Sequence, residues 1–206
     1  MRQAFGALFL CFSLAACSSL TAALFKPDLQ TTAVSLEAGD WKLDPDHAAL
    51  IFRIDHLGYS DLIGRFDRFE VSLTGDGTRP DEARVSALID IASLDMGNDS
   101  FAEDLKGARW FDAARYPQAA FTTVSVTPTG ENTADVAGEL TLKGKAQPVT
   151  LHVTLNGTAY DRLRGTDVAG FSAETTISRS AFGLDAFSGL VTDDVRIEIE
   201  AELLKQ

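Results

Sequence analysis

From residue 47 almost to its C-terminus the chain alternates apolar and polar residues with a period of two. In 47–58, Leu50, Phe52, Ile54 and His56 share one face while Ile51, Arg53 and Asp55 share the other. Val195, Ile197 and Ile199 alternate with Arg196, Glu198 and Glu200, and Phe69, Val71 and Leu73 with Glu70, Ser72 and Thr74. Further runs lie near 83–93, 119–127, 134–142, 147–156 and 168–178. A helix would smear such a pattern around its whole circumference, so these segments read as eight strands. Turn clusters punctuate them at Thr74-Gly75-Asp76-Gly77, Pro128-Thr129-Gly130 and Asn156-Gly157. One segment departs. Asn98 to Gly107 pairs Ser100 with Glu103 in a capping box, carries apolar Phe101, Ala102 and Leu105, and ends on glycine, which predicts a short helix. Trp110 and Phe111 follow in a turn, where they either close a mouth or cap a core. Many antiparallel strands with one helical insertion form a sandwich or a barrel, and eight strands enclose either a filled core or one small ligand. Periodicity does not choose between these.

The N-terminus has a different character. Arg2 precedes an apolar run from Ala4 to Ala16, too short for the roughly 20 residues of a membrane span and suited to a secretory signal. Its end, Leu14-Ala15-Ala16-Cys17, resembles a bacterial lipobox, whose cysteine is acylated. An ordinary signal peptide with an incidental Cys17 is the alternative. The expected organisation is a lipoprotein signal peptide over 1–16, a lipidated tether over 17–39 and a barrel domain over 40–206. Leu20, Leu24 and Phe25 either pack on the domain or dip into lipid. Ser18 stands where an aspartate would resemble an inner-membrane retention signal. The expected location is therefore the periplasmic face of a bacterial membrane, with the outer membrane favoured. Both cysteines, Cys11 and Cys17, belong to this region, so an internal disulfide is not expected.

Composition narrows the function. A chain of 206 residues with a formal charge of −12 fits one domain and repels phosphate backbones, which argues against a nucleic-acid partner. Three scattered histidines without cysteine partners do not make a zinc site. No G-x-S-x-G elbow and no Walker or Rossmann glycine pattern occurs, so no catalytic residue is assigned. His47 reads as a surface or turn residue and His152 as solvent-facing. Asp44, Asp46, Asp193 and Asp194 read as solvated turn acids. Arg179 either pairs with an inward carboxylate or has a structural role.

Six motif blocks then follow one another in order. Asp46-His47, Leu50, Phe52, Ile54, His56-Leu57-Gly58 and Ser60 form the first, and Gly64, Phe66 and Phe69 the second. Ser93-Leu94-Asp95-Met96-Gly97-Asn98 comes third, and Phe111-Asp112, Tyr116-Pro117 and Phe121 fourth. Gly138, Leu140-Thr141-Leu142 and Gly144 with Pro148-Val149, then Ser178-Arg179 and Phe182-Gly183, complete the set. Together they resemble the YceI-like family of lipocalin-like, polyisoprenoid-binding proteins. The resemblance implies an all-β fold, an eight-stranded antiparallel lipocalin-like barrel with one short helical insertion and an apolar interior channel. It implies non-catalytic binding, storage or transport of a long-chain isoprenoid, a quinone or polyprenyl compound, with no other cofactor required. The alternative is an accessory protein or enzyme in a quinone-linked redox or stress response, because relatives occur beside di-haem membrane cytochromes. The expected ligand-binding residues are Phe52, Ile54, His56, Phe66, Phe69, Trp110, Phe121 and Phe171. For the phenylalanines the competing role is plain core, and for His56 a buried neutral imidazole rather than a contact to a quinone carbonyl. The expected partners are the isoprenoid lipid and the membrane, reached through acylated Cys17. A second copy, a membrane cytochrome or a lipid-donor protein remain open. Three departures stand out: Asp104 and Lys143 occupy places where the family often has histidine, and Ala48 replaces a serine.

Overall fold

The computed structural model describes residues 26–206; the segment read as a signal peptide, Cys17, Leu20, Leu24 and Phe25 lie outside them. Ten strands form one antiparallel sheet: β1 (Gly39–His56), β2 (Ser60–Phe66), β3 (Phe69–Gly75), β4 (Arg84–Asp90), β5 (Leu94–Asp95), β6 (Gln118–Pro128), β7 (Thr133–Leu142), β8 (Lys145–Asp161), β9 (Thr166–Ser178) and β10 (Val191–Lys205). Eight of them close a barrel in the order β1-β3-β4-β6-β7-β8-β9-β10, sealed by the pairing of β10 with β1. β1 is long enough to serve two neighbours on one edge: Gly39–Lys42 pair with β3 and Ile51–His56 with β2. The short β5 extends β2 outside the ring.

Closure follows from matched apolar pairs around the ring. Trp41 faces Leu73, Val71 faces Ala87, Ala87 faces Phe121, Phe121 faces Leu140, Val136 faces Leu151, Val153 faces Ala173, Ala173 faces Ile199 and Ile197 faces Phe52. At a rise of about 3.3 Å per residue and a tilt near 40°, the 18 residues of β1 make a barrel roughly 40 Å tall.

Four irregularities bend the strands. The β1–β10 pairing shifts register between Leu43 and Ala48 and again between Ile54 and His56, β6 shifts between Thr123 and Ser125, and β8 between Leu155 and Gly157. Asn156-Gly157 is thus a bulge inside β8 and not the turn that its residue types suggested. The gap in β6 is held by Thr123, whose Oγ1 donates to Val85 O and accepts from Val85 N, each at 2.9 Å.

The single α-helix among the described residues, α1 (Asp99–Lys106), lies where the sequence placed it and buries Ala102 and Leu105. Its N-cap is Asn98, which accepts from Phe101 N at 3.0 Å, so the expected Ser100–Glu103 box does not start the helix. At this end, the helix end, α1 and the 179–190 loop cover the barrel. The opposite end carries the 76–83, 129–132 and 162–165 connections. Of the stretch read as tether, residues 30–38 lie across that second end, where Gln30 and Thr158 exchange two backbone hydrogen bonds.

Candidate functional site

The barrel is hollow. A cavity of about 710 Å³ runs between its two ends, inside the range of roughly 300–1,000 Å³ that holds small ligands. Its lining is apolar except for His56, Asp104, Thr175 and Arg179 toward the helix end, and Asp76, Asn132 and Thr133 toward the other. The middle is dry.

All eight residues singled out in the sequence line this cavity. Phe52, Ile54 and His56 project from β1 opposite Ile197, Val195 and Val191 of β10. Phe66 ends β2 with its ring 5.9 Å from that of Phe52, and Phe111 meets Phe66 edge-on at 5.8 Å. Phe69 starts β3, Phe121 lies on β6 and Phe171 on β9. The wall of β2 is thin where it must be: a Cβ on Gly64 would fall 2.3 Å from Phe52 Cζ and 2.4 Å from Met96 Sδ. Trp110 and Phe111 divide the two roles left open for them. Trp110 stacks at 5.8 Å on Phe187 of the 179–190 loop and so belongs to the mouth, whereas Phe111 packs on the core around Ile91 and Phe182.

Sequence reasoning missed several lining residues. Leu62 hides in a strand whose alternation is broken by Gly64, and Phe187 and Leu190 sit in a loop. Ala33 and Leu36 sit in what read as a tether. Phe187 also has a guanidinium over its ring, with Arg109 Cζ 4.4 Å from the centroid.

The polar groups at the two ends differ in state. Asp76 is occupied by Thr78 and Arg79, Asn132 donates to Leu155 O and Thr133 Oγ1 accepts from Thr129. Among the described residues, neither the His56 ring nor the Asp104 carboxylate is paired to another protein group. Arg179 is buried and pairs with no carboxylate. Its guanidinium donates to the carbonyls of Thr192 at 2.7 Å, Ala186 at 2.9 Å and Val191 at 3.2 Å, and to that of Leu184. The structural role offered for it is the one realised.

One further cluster lies outside the cavity. Asp44, His47 and Glu202 bring ligand atoms within 4.8 Å of one another. Arg164 supplies the positive charge there, 3.3 Å from Asp44 and 2.8 Å from Glu202, with Asp161 at 3.3 Å. Asp44 is therefore a buried network acid and not the solvated turn acid expected, because the β1 bulge folds it inward. His47 is exposed on that bulge, and His152 is exposed beside Asp135. Burial opposes the Asp44 charge, but the His47 hydrogen bond, the Asp46 amide and the nearby His47 and Arg164 charges hold its pKa below the usual carboxylate range. A lowered folded pKa stabilises the protein above the unfolded value, and that contribution is lost as pH falls through the folded one. Asp44→Asn is expected to cost about 1–3 kcal/mol at pH 7, lowering Tm by roughly 2–10 °C. At pH 3 the gap between the two proteins should narrow. Thermal melts at both pH values check this.

Comparison with known proteins places these features in context. The YceI-like domain family matches residues 41–203. A UPF0312 protein of Pseudomonas putida strain W619 is 36% identical over 171 residues, covering 82% of this chain and 88% of that protein. Protein YceI of Escherichia coli O157:H7 is 37% identical over 180 residues, 86% and 93% of the two chains. Among solved structures, Burkholderia cenocepacia BcnA superposes with a TM-score of 0.71 at 28% identity, over 78% of this chain and 98% of that one. A polyisoprenoid-binding domain from Saccharophagus degradans, implicated in plant cell wall breakdown, shares the fold with a TM-score of 0.58 at 17% identity, over 81% and 98%.

Proposed function

The chain belongs to the YceI-like family, and from that membership and the form of its cavity we propose that it binds a long-chain isoprenoid lipid, of the quinone or polyprenyl kind, without transforming it. The observation that carries this reading is a barrel whose interior is apolar through its middle and polar only at its ends. An extended hydrocarbon chain there leaves water along its whole length, at roughly 25 cal/mol per Å². The polyisoprenoid-binding domain of Saccharophagus degradans, built on the same fold, supports the ligand class. The head group belongs at the helix end, where His56 and Asp104 are unpaired, and the tail runs toward the far end. On the same reading acylated Cys17 holds the protein at the periplasmic face of the outer membrane; a Cys17→Ser form that still carries acyl mass would refute that anchor.

Organic extraction of the purified protein followed by mass spectrometry tests the central reading. An isoprenoid at near-stoichiometric amount is the expected result, and a lipid-free extract from natively expressed protein sinks it. The unpaired imidazole of His56 also favours a second reading, quinone-linked redox or acid–base chemistry. His56→Phe separates the two. A carrier loses at most one neutral hydrogen bond, about 0.5–1.5 kcal/mol, so lipid affinity should fall by less than roughly twentyfold. A proton-transfer role would instead show as turnover reduced about a hundredfold or more with the lipid still bound.

A further inference from the structure

We infer that Ala33–Leu36, in the segment preceding the barrel, form the floor of the channel and set the longest isoprenoid tail it accepts. This rests on the isoprenoid-binding reading and adds to it a determinant of chain length. A core cluster and the cavity share this end of the barrel. Trp41, fully buried, packs there with Leu73, Leu155, Ala169 and Leu203. The cavity passes beside that cluster to Pro128 and Thr133, and its lining at this end includes Ala33 and Leu36. The rim connections contribute Asp76, Gly77, Pro80, Gly130 and Asn132 to the lining at this end, and the preceding segment lies over them. The segment is held there through its backbone: Ala33 N donates to Glu131 O at 2.8 Å and Leu36 O accepts from Gly77 N at 2.9 Å. These two bonds fix the segment to neighbouring loops, β3–β4 and β6–β7, and the Gln30–Thr158 pair on β8 carries it toward the other side of the ring. The fit is tight, since a Cβ on Gly77 would lie 2.1 Å from Ala33 O and 2.7 Å from Leu36 O. Glu37 then ties to Lys205, and its carbonyl accepts from Trp41 Nε1 at 3.3 Å.

Leu36 packs on the edge of the Trp41 cluster, and the rest of this closure lies outside the core. No residue of the Ala33–Ser35 turn is buried, and Leu36 is only half-buried. Segments with few buried apolar contacts open at low cost, so small changes here should move the floor and leave the barrel standing. A tail shorter than the channel gains affinity with each added isoprene unit, by about tenfold or more, because every unit leaves water. A tail that reaches Leu36 has no further apolar wall to meet.

The test is displacement of a fluorescent apolar dye by polyprenyl alcohols of increasing length. With wild-type protein, affinity should climb and then stop at a definite length. Leu36→Gly lowers the floor, and Gly77→Ala pushes Ala33 and Leu36 off the rim. Each should move the stopping length upward by at least one isoprene unit, with shorter alcohols bound within about threefold of wild type. Ala33→Leu raises the floor and should move the stopping length down. The opposed signs keep the test decisive should one variant fold poorly by circular dichroism. An unchanged stopping length in folded variants, or none in wild type, overturns the floor while leaving the binding reading intact. Failure of every alcohol to displace the dye from wild type overturns both.

Discussion

Phe52→Asp is expected to abolish lipid retention while the barrel stays folded. Phe52 stands on the inward face of β1, opposite Ile197 and Gly64, with Phe66 beside it. In the empty protein the introduced carboxylate looks into a cavity that water can enter, so it can remain hydrated and folding is only moderately affected. With an isoprenoid in place that water must leave. The carboxylate then sits unpaired against hydrocarbon or takes up a proton, a cost of about 3–4 kcal/mol and hence a loss of affinity of a hundredfold or more. Phe69→Asp, one wall further round, should behave alike. Ser72→Asp, on the exposed face of β3 opposite Lys42, is the control and should bind as wild type. Partial recovery of binding near pH 5, as the carboxylate protonates, would identify desolvation as the cause. Equal loss in all three variants with intact strand signal would show that the assignment of faces is wrong.

That assignment was legible because parity is local. Within an unbroken strand one buried residue fixes the side of all the others, and Phe52, Ile54, Phe69 and Ile197 needed nothing more. Parity fails at a bulge, which adds one residue without a residue-type signature. Leu43 and Leu50 both point inward although seven positions apart, because β1 shifts register between them. Strand β2 escaped for another reason. Its inward positions are Leu62, Gly64 and Phe66, and the glycine that admits the Phe52 ring erases the alternation. Its hairpin is joined by Leu57 and Gly58, both with positive φ, and a leucine there is not a turn signal. The two residues of β5 are too few to show any period. Asp44 looked like a turn acid beside Pro45, because its counter-charge, Arg164, lies more than a hundred residues along the chain. The channel floor was the least legible part. It is made by an aperiodic segment that backbone hydrogen bonds hold on loops, and strand periodicity carries no information about either.

Arg179 offers the other large effect, and here the expected loss is in stability and mouth order. A guanidinium buried without a carboxylate is costly, yet this one converges on the carbonyls of Leu184, Ala186, Val191 and Thr192. Two of those carbonyls, of Leu184 and Ala186, belong to the loop that brings Leu184, Phe187 and Leu190 over the cavity, and the other two to the first residues of β10, so the guanidinium ties the loop to that strand. Five donors in a planar fork suit four acceptors on a curved strand of chain; a lysine ammonium has three donors from a single nitrogen and cannot span them. The flank is fastened through Asp193, which accepts from Ser178 Oγ at 2.5 Å and from Ser180 N at 2.9 Å. The Ser178 hydrogen bond leads the causes that hold its pKa below the usual range, and the nearby Arg179 charge also helps hold the carboxyl ionised. Arg179→Leu removes the desolvation penalty of the charge but strands up to four acceptors. The second effect should win, because each buried unsatisfied group costs about 1–3 kcal/mol. The expected destabilisation is roughly 3–5 kcal/mol, or a Tm lower by about 6–20 °C. Arg179→Lys should recover only part of it. Hydrogen exchange gives the sharper readout: amides of 183–191 should lose protection well before those of β9 and β10, because the ring pairings do not depend on this side chain. If Phe187 and Leu190 are placed by that loop, the mouth loosens with it, and bound lipid should dissociate faster with little change in association. Native-like protection across 183–191 in Arg179→Leu would refute the role assigned to the guanidinium.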